Sequence, residues 1–212
     1  MKHRCLLILL LPFAGYTQTP GWSPCDSFSN AAFAQSSPDG ACYLQCEWRQ
    51  EAEPIEYRLT LKSRKHQKSL VVSETSVYDS GAPVIRWSDD SRLLLVDSDD
   101  SRDRVTRVID LDAFRETQAI PGYLYDFDSP HRIAFVGQYL DVQTGFGRPD
   151  FALYKYDLKQ NQSAVVVQLE VTWDFDGPQF QADPNTRTLL FRLMVYCDNG
   201  GTGGVQEFTL GY

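Results

Sequence analysis

Pro83 to Ala113 reads PVIRWSDDSRLLLVDSDDSRDRVTRVIDLDA, and this stretch decides how the rest of the chain is read. Apolar Val84-Ile85 leads to Trp87, a polar turn follows from Ser88 to Ser91, and Leu93 to Val96 is continuously apolar. An acidic loop then gives way to alternating Val105, Val108, Ile109 and Leu111. Short runs rich in branched and aromatic residues, bounded by Asp/Ser clusters, predict strands rather than helices. Joined by tight turns, they predict an antiparallel meander.

The pattern recurs along the chain, as a repeat architecture requires. Ser37-Pro38-Asp39-Gly40 precedes apolar Ala41 to Leu44 and then alternating Ile55, Tyr57, Leu59 and Leu61. A third copy runs from Tyr125-Asp126-Phe127-Asp128-Ser129-Pro130-His131 through Ile133 to Val136, and ends in Ala152 to Leu158. A fourth comprises Phe180 to Asn185, Leu189 to Phe191 and Val205 to Leu210. Trp87-Ser88-Asp89-Asp90-Ser91 followed by Val108-Ile109-Asp110-Leu111 resembles the Trp-Ser-Pro-Asp-Gly repeat of TolB-like, WD-repeat-like β-propellers. It departs from that repeat at Asp89, where the family has Pro, and at Ser91, where it has Gly. The resemblance implies an all-β, small β-propeller-like fold of about four blades. An irregular β-sandwich with similar turns is the competing expectation.

Lys2-His3-Arg4, an apolar stretch from Cys5 to Leu11 and a small, polar exit to Thr19 predict a cleavable signal peptide over residues 1–17. The apolar stretch is far shorter than the roughly 20 residues that span a bilayer. Residues 18–212 are then expected to form a single exported domain, periplasmic or secreted, with no membrane insertion. Of 20 Lys and Arg, loss of Lys2 and Arg4 leaves 18 against 28 Asp and Glu, a balance of −10. Such acidity disfavours nucleic acid and anionic membranes as partners and favours basic protein surfaces.

Cys25, Cys42, Cys46 and Cys197 remain after cleavage, an even number that in an exported protein predicts disulfides. Cys42 and Cys46 on one strand stand roughly 13 Å apart at about 3.3 Å per residue. That exceeds the limit near 7 Å for a direct bond, so each is expected to pair with Cys25 or Cys197. The fourth repeat runs out of chain before an outer strand, and the segment from Gln18 to Ser23 is the expected donor that closes the ring.

Signals for chemistry are weak. His66 lies in a basic hairpin and His131 in a repeat turn, and no GxSxG nucleophile elbow is present. Gly200 to Gly204 lacks the lysine of a phosphate loop and reads as a flexible hairpin loop. Asp97 to Asp103 has oxygen ligands at alternate positions, but Arg102 stands where a calcium loop needs Gly, so a solvated acidic loop is expected. Asp126, Asp128, Asp174 and Asp176 repeat one aromatic-acid motif, which favours turn capping and packing between blades over glycoside cleavage. The expectation is a non-enzymatic chain with no cofactor and no metal.

Loop length carries the functional reading. The connections Gln50 to Pro54, Ser98 to Asp103, Gln138 to Asp150 and Asp198 to Gly204 would emerge on one face of a propeller, where binding residues concentrate. That face would present Asp99, Asp100, Arg102 and Asp103, then Tyr139, Phe146 and Arg148, then Asp198 and Asn199. Acidic residues around exposed aromatics suit protein binding. In size, export and loop geometry the chain is similar to some immunity proteins of type VI secretion systems. The resemblance implies a protein that blocks a secreted hydrolytic effector, and the acidic balance points to a basic one. The alternative is a carbohydrate-binding or glycoside-acting cell-wall protein using Asp and aromatic side chains.

Overall fold

The two continuous apolar runs, Leu93 to Val96 and Ile133 to Val136, are strands buried on both faces, and the rest of the architecture follows from them. The computed structural model describes residues 21, 23–24, 36–49, 56–76, 83–98, 104–140, 150–170, 179–196 and 202–212. Fifteen strands form four antiparallel sheets, and the described residues contain no helix. The first sheet is β1 (Ser23–Pro24), β2 (Cys42–Arg49), β3 (Glu56–Ser63) and β4 (Lys68–Ser76). The second is β5 (Ile85–Trp87), β6 (Leu93–Ser98), β7 (Val105–Asp110) and β8 (Arg115–Pro121). The third is β9 (Tyr123–Asp128), β10 (Ile133–Leu140), β11 (Asp150–Asp157) and β12 (Gln162–Glu170). The fourth stops at three strands, β13 (Gln179–Asp183), β14 (Thr188–Tyr196) and β15 (Thr202–Gly211). The all-β, four-bladed expectation holds.

Strand side chains alternate between faces, and here the two faces serve two different cores. Leu94 and Val96 point to the first blade, joining Cys42, Leu44, Leu59 and Leu61. Leu95 points to the third, joining Val108, Leu124, Ala134 and Val136. Ile133 and Phe135 then face the fourth blade, with Phe151, Phe180, Leu189 and Phe191. Four blades thus bury three interfaces in sequence. Among the described residues, no comparable packing joins the fourth sheet to the first.

The repeat turns explain both the motif and its departures. Ser37 and Ser88 each turn a hydroxyl back to accept local backbone amides, from Cys42 in one case and from Arg92 and Leu93 in the other. Asp128 and Asp183 do the equivalent work for His131 and Asn185. Gly40, Ser91, Arg132 and Arg187 take the left-handed backbone, with φ between 52° and 69°. Ser91 therefore keeps the conformation that the family assigns to glycine. Its hydroxyl adds a bond, accepting the Asp39 amide of the preceding blade at 3.0 Å. Ser129 accepts from the Asp89 amide at 2.8 Å, and the Tyr212 hydroxyl donates to Asp128 at 2.9 Å. The first two bonds tie one repeat turn to the next, and Tyr212, after β15, ties the fourth blade to the turn of the third.

Three expectations are corrected. Ser23, the end of the expected closing segment, lies with Pro24 opposite Trp48 and Glu47 in the first sheet rather than beside the last blade, and of the rest of that segment all but Gly21 lies outside the described residues. The Cys42 thiol is free and buried rather than disulfide-bonded, and burial pushes its pKa up, favouring the neutral thiol. Cys46 carries a disulfide whose partner, like Cys25 and Cys197, lies outside the described residues. Thr202 to Gly204 belong to β15, so the glycine-rich stretch is partly strand rather than all loop.

Candidate functional site

The second strands end and the third strands begin opposite the Ser/Asp turns, as the meander dictates. There β6 ends at Asp97-Ser98, and the chain returns at Arg104 to begin β7. Asp97 is buried, and Arg104 donates from Nε to its Oδ1 at 2.6 Å. The other oxygen, Oδ2, accepts the Leu124 amide at 3.0 Å, fastening the second blade to the third. With both oxygens occupied, Asp97 organises the site; it does not present a base.

A tight crossover then brings Tyr123 beside this pair. Gly122 has φ +116° and donates its amide to the Arg104 carbonyl at 2.6 Å. A Cβ on Gly122 would stand 2.4 Å from the Gly137 carbonyl oxygen, so only glycine fits this crossing. The Arg104 guanidinium lies 4.7 Å over the Tyr123 ring, a cation–π contact that holds both side chains. Tyr123 meets Tyr139 edge to face at 5.5 Å, and Tyr139 meets Phe151 at 5.4 Å. Tyr125 packs edge-on against Phe151 and Phe180. Burial first, then the neighbouring tyrosines, hold the Tyr125 hydroxyl in its neutral form. A Cβ on Gly137 would collide with the Tyr125 ring at 2.3 Å, so this glycine makes room for the aromatic layer.

Between the inner strands β5, β9 and β13 these side chains frame an open cleft of about 440 Å³. Arg86, with its Nε 3.6 Å from Asp126 Oδ1, stands on one wall, and Gln179 and Phe180 on another. The result is two guanidiniums among phenol rings, with hydrogen-bond donors exposed beside apolar surface. Arg and aromatic side chains of this kind dominate protein interface hot spots.

Of the residues expected on the binding face, Tyr139 belongs to β10 rather than to a loop; it packs on Tyr123, and 42 % of its surface is exposed. Asp99, Asp100, Arg102, Asp103, Phe146, Arg148, Asp198 and Asn199 lie outside the described residues. Sequence reasoning missed Arg86, Asp97, Arg104 and Tyr123. Asp97 had been expected in a solvated loop, yet its parity with Leu95 on one strand was a signal for burial. Asp126 and Asp128 serve the fold: Asp126 accepts the Ala182 amide of the next blade at 2.7 Å, and Asp128 binds His131 and Tyr212. Asp174 and Asp176 lie outside the described residues. Among the described residues, no group of three His, Cys, Asp or Glu side chains is placed to hold a metal ion.

The fold and its cleft define a small β-propeller-like module. Solved structures similar to it include the β-propeller domain of the Trilobed protease from Pyrococcus furiosus, which has an open velcro topology. The TM-score is 0.50 at 13% identity, over 83% of this chain and 54% of that one. An oligogalacturonate lyase from Vibrio parahaemolyticus matches with TM-score 0.45 and 14% identity, over 82% and 51% of the two chains. TolB from Acinetobacter baumannii matches with TM-score 0.39 and 12% identity, over 82% and 42%. This chain spans about half the length of these proteins or less. At such identities the likeness concerns the fold alone. No family model and no curated protein matches the chain.

Proposed function

We propose that this chain is a non-enzymatic, exported protein-binding module whose long-loop end docks another protein. In the finer form of the proposal it is an immunity or inhibitor protein that blocks a secreted hydrolytic effector. The observation that carries the reading is the cleft where Arg86, Arg104, Tyr123 and Tyr125 line space sized for a projecting side chain, with Tyr139 packed on Tyr123. The formal charge of −8 favours a basic partner. A second reading rests on the same rings: Tyr and Phe faces also stack on sugars, which would make the cleft a carbohydrate site.

The test is titration calorimetry of the full chain against a hydrolase encoded beside it and, separately, against cell-wall oligosaccharides. Tyr139→Ala and Arg86→Ala are each expected to weaken hydrolase binding about tenfold or more, equivalent to about 1.4 kcal/mol, with the fold intact by circular dichroism. Unchanged affinity in both variants would remove the cleft from the interface. Binding of the oligosaccharide alone would favour the second reading.

A further inference from the structure

The fourth blade differs from the other three at one edge, and the repeat itself says what belongs there. Matching Thr188↔Gly211 to Ile133↔Asp157 and to Cys42↔Ser63 sets Phe208 where Tyr154 and Thr60 stand. In those blades this position lies at a β-bulge and pairs outward with a fourth strand, Tyr154 with Val165 and Thr60 with Val71. On β15 the corresponding edge has no strand beside it among the described residues. Phe208 is consequently 45 % exposed, although its ring stacks on Phe191 at 5.9 Å.

Exposed outer strands usually carry charge or proline, which discourages pairing. Here β4 carries Lys68 and Glu74, and β8 carries Arg115, Glu116 and Pro121, whereas β12 carries only Glu170 at its end. Like β12, β15 has a single charge, Glu207; at 10 residues it is the longest strand among those described, and Arg192 pairs with Glu207 at 2.6 Å. Such an edge lacks the repulsion that would keep two copies of an acidic chain apart.

We propose that the free edge of β15 pairs with the same edge of a second copy, the two strands running antiparallel across a two-fold axis. Perpendicular two-fold symmetry sets one residue opposite itself, and Gln206 is the position that uses residues 202–210 of both strands. This register lays Phe208 across from Gly204 of the second copy, where an aromatic ring covers bare glycine backbone. It also sets Glu207 opposite Val205, so the two acidic groups do not meet. An isologous contact of this kind closes on itself and stops at a dimer.

Sedimentation equilibrium of the full chain across the micromolar range tests the proposal, with a mass twice that of the chain expected. Gln206→Lys places two cations face to face and is expected to raise the dimer dissociation constant tenfold or more. Gln206→Cys is expected to give a covalent dimer on mild oxidation, whereas Thr209→Cys is not. A monomer at every concentration would overturn the proposal, as would a dimer indifferent to Gln206→Lys. A monomer whose β15 amides resist hydrogen exchange would show that a segment of the same chain covers the edge, which overturns it equally.

Discussion

The middle blades and the end blades solve different problems with the same backbone. In the middle, Leu94, Leu95 and Val96 are all fully buried, because the second strand of that blade has a neighbour on each face. At the ends, burial is one-sided. Cys42 and Leu44 are buried between blades while Tyr43 and Gln45 are half-buried, and Leu189 and Phe191 are buried while Arg192 is exposed. The lesson is that burial falls from the middle blades to the ends, because among the described residues the first and last sheets each have a packed neighbour on one side only.

The largest expected effect breaks the middle. Phe135→Ala removes a fully buried ring from the core of the third and fourth blades and is expected to cost about 3–5 kcal/mol in urea unfolding. Arg192→Ala on the outer face of the fourth blade loses only an exposed pair with Glu207 and is expected to cost less than about 1 kcal/mol. Equal losses would mean that the outer face of the fourth blade is packed as tightly as the middle. An effect well below that of Phe135→Ala is also expected at the turn linking an end blade to a middle one. Ser91→Ala removes the acceptor of the Asp39 amide and is expected to cost about 1 kcal/mol by thermal melting. Ser91→Gly loses the same bond but relaxes the left-handed backbone, so its melting temperature should lie between those of the parent and Ser91→Ala.

The smallest effect is electrostatic and separates the two middle blades. Desolvation opposes ionisation of Asp90, but bonds from Arg132, Ser88 and the Arg92 amide outweigh it and hold the carboxyl at about 2. A carboxyl with a lowered folded-state pKa stabilises the fold above its unfolded value, near 4, and that stability fades as pH falls toward 2. Asp90→Asn should therefore flatten the decline in melting temperature between about pH 4 and pH 2. An unchanged slope would mean that the Asp90–Arg132 pair contributes nothing to that decline.

Strand type and blade number were legible because both rest on short-range pattern: Leu93 to Val96 between polar turns, and four turns of one length. The unequal character of the blades was also on the page, since apolar runs in β6 and β10 contrast with the alternation of Cys42-Tyr43-Leu44-Gln45. The cleft was hidden for a physical reason. Asp97 meets the amide of Leu124 across a blade boundary, and Arg104 meets Tyr123 only because Gly122 permits the crossing. Acidic residues near a loop read as solvated, and nothing local says which of them is the buried one. The placement of Ser23 was missed for a similar reason: the shortfall of strands in the last blade pointed elsewhere, whereas Ser23 and Pro24 had an open place beside Trp48 and Glu47.

The turn-to-turn bonds bear on how the chain folds as well as on what holds it. Asp39 to Ser91, Asp89 to Ser129 and Tyr212 to Asp128 span 52, 40 and 84 residues, each linking one blade to the next. A ring sealed between its first and last blades must bring distant ends of the chain together, an entropic cost that grows with loop length and slows folding. The blades described here pack consecutively, first on second, second on third and third on fourth, so each blade can dock as soon as its predecessor is formed.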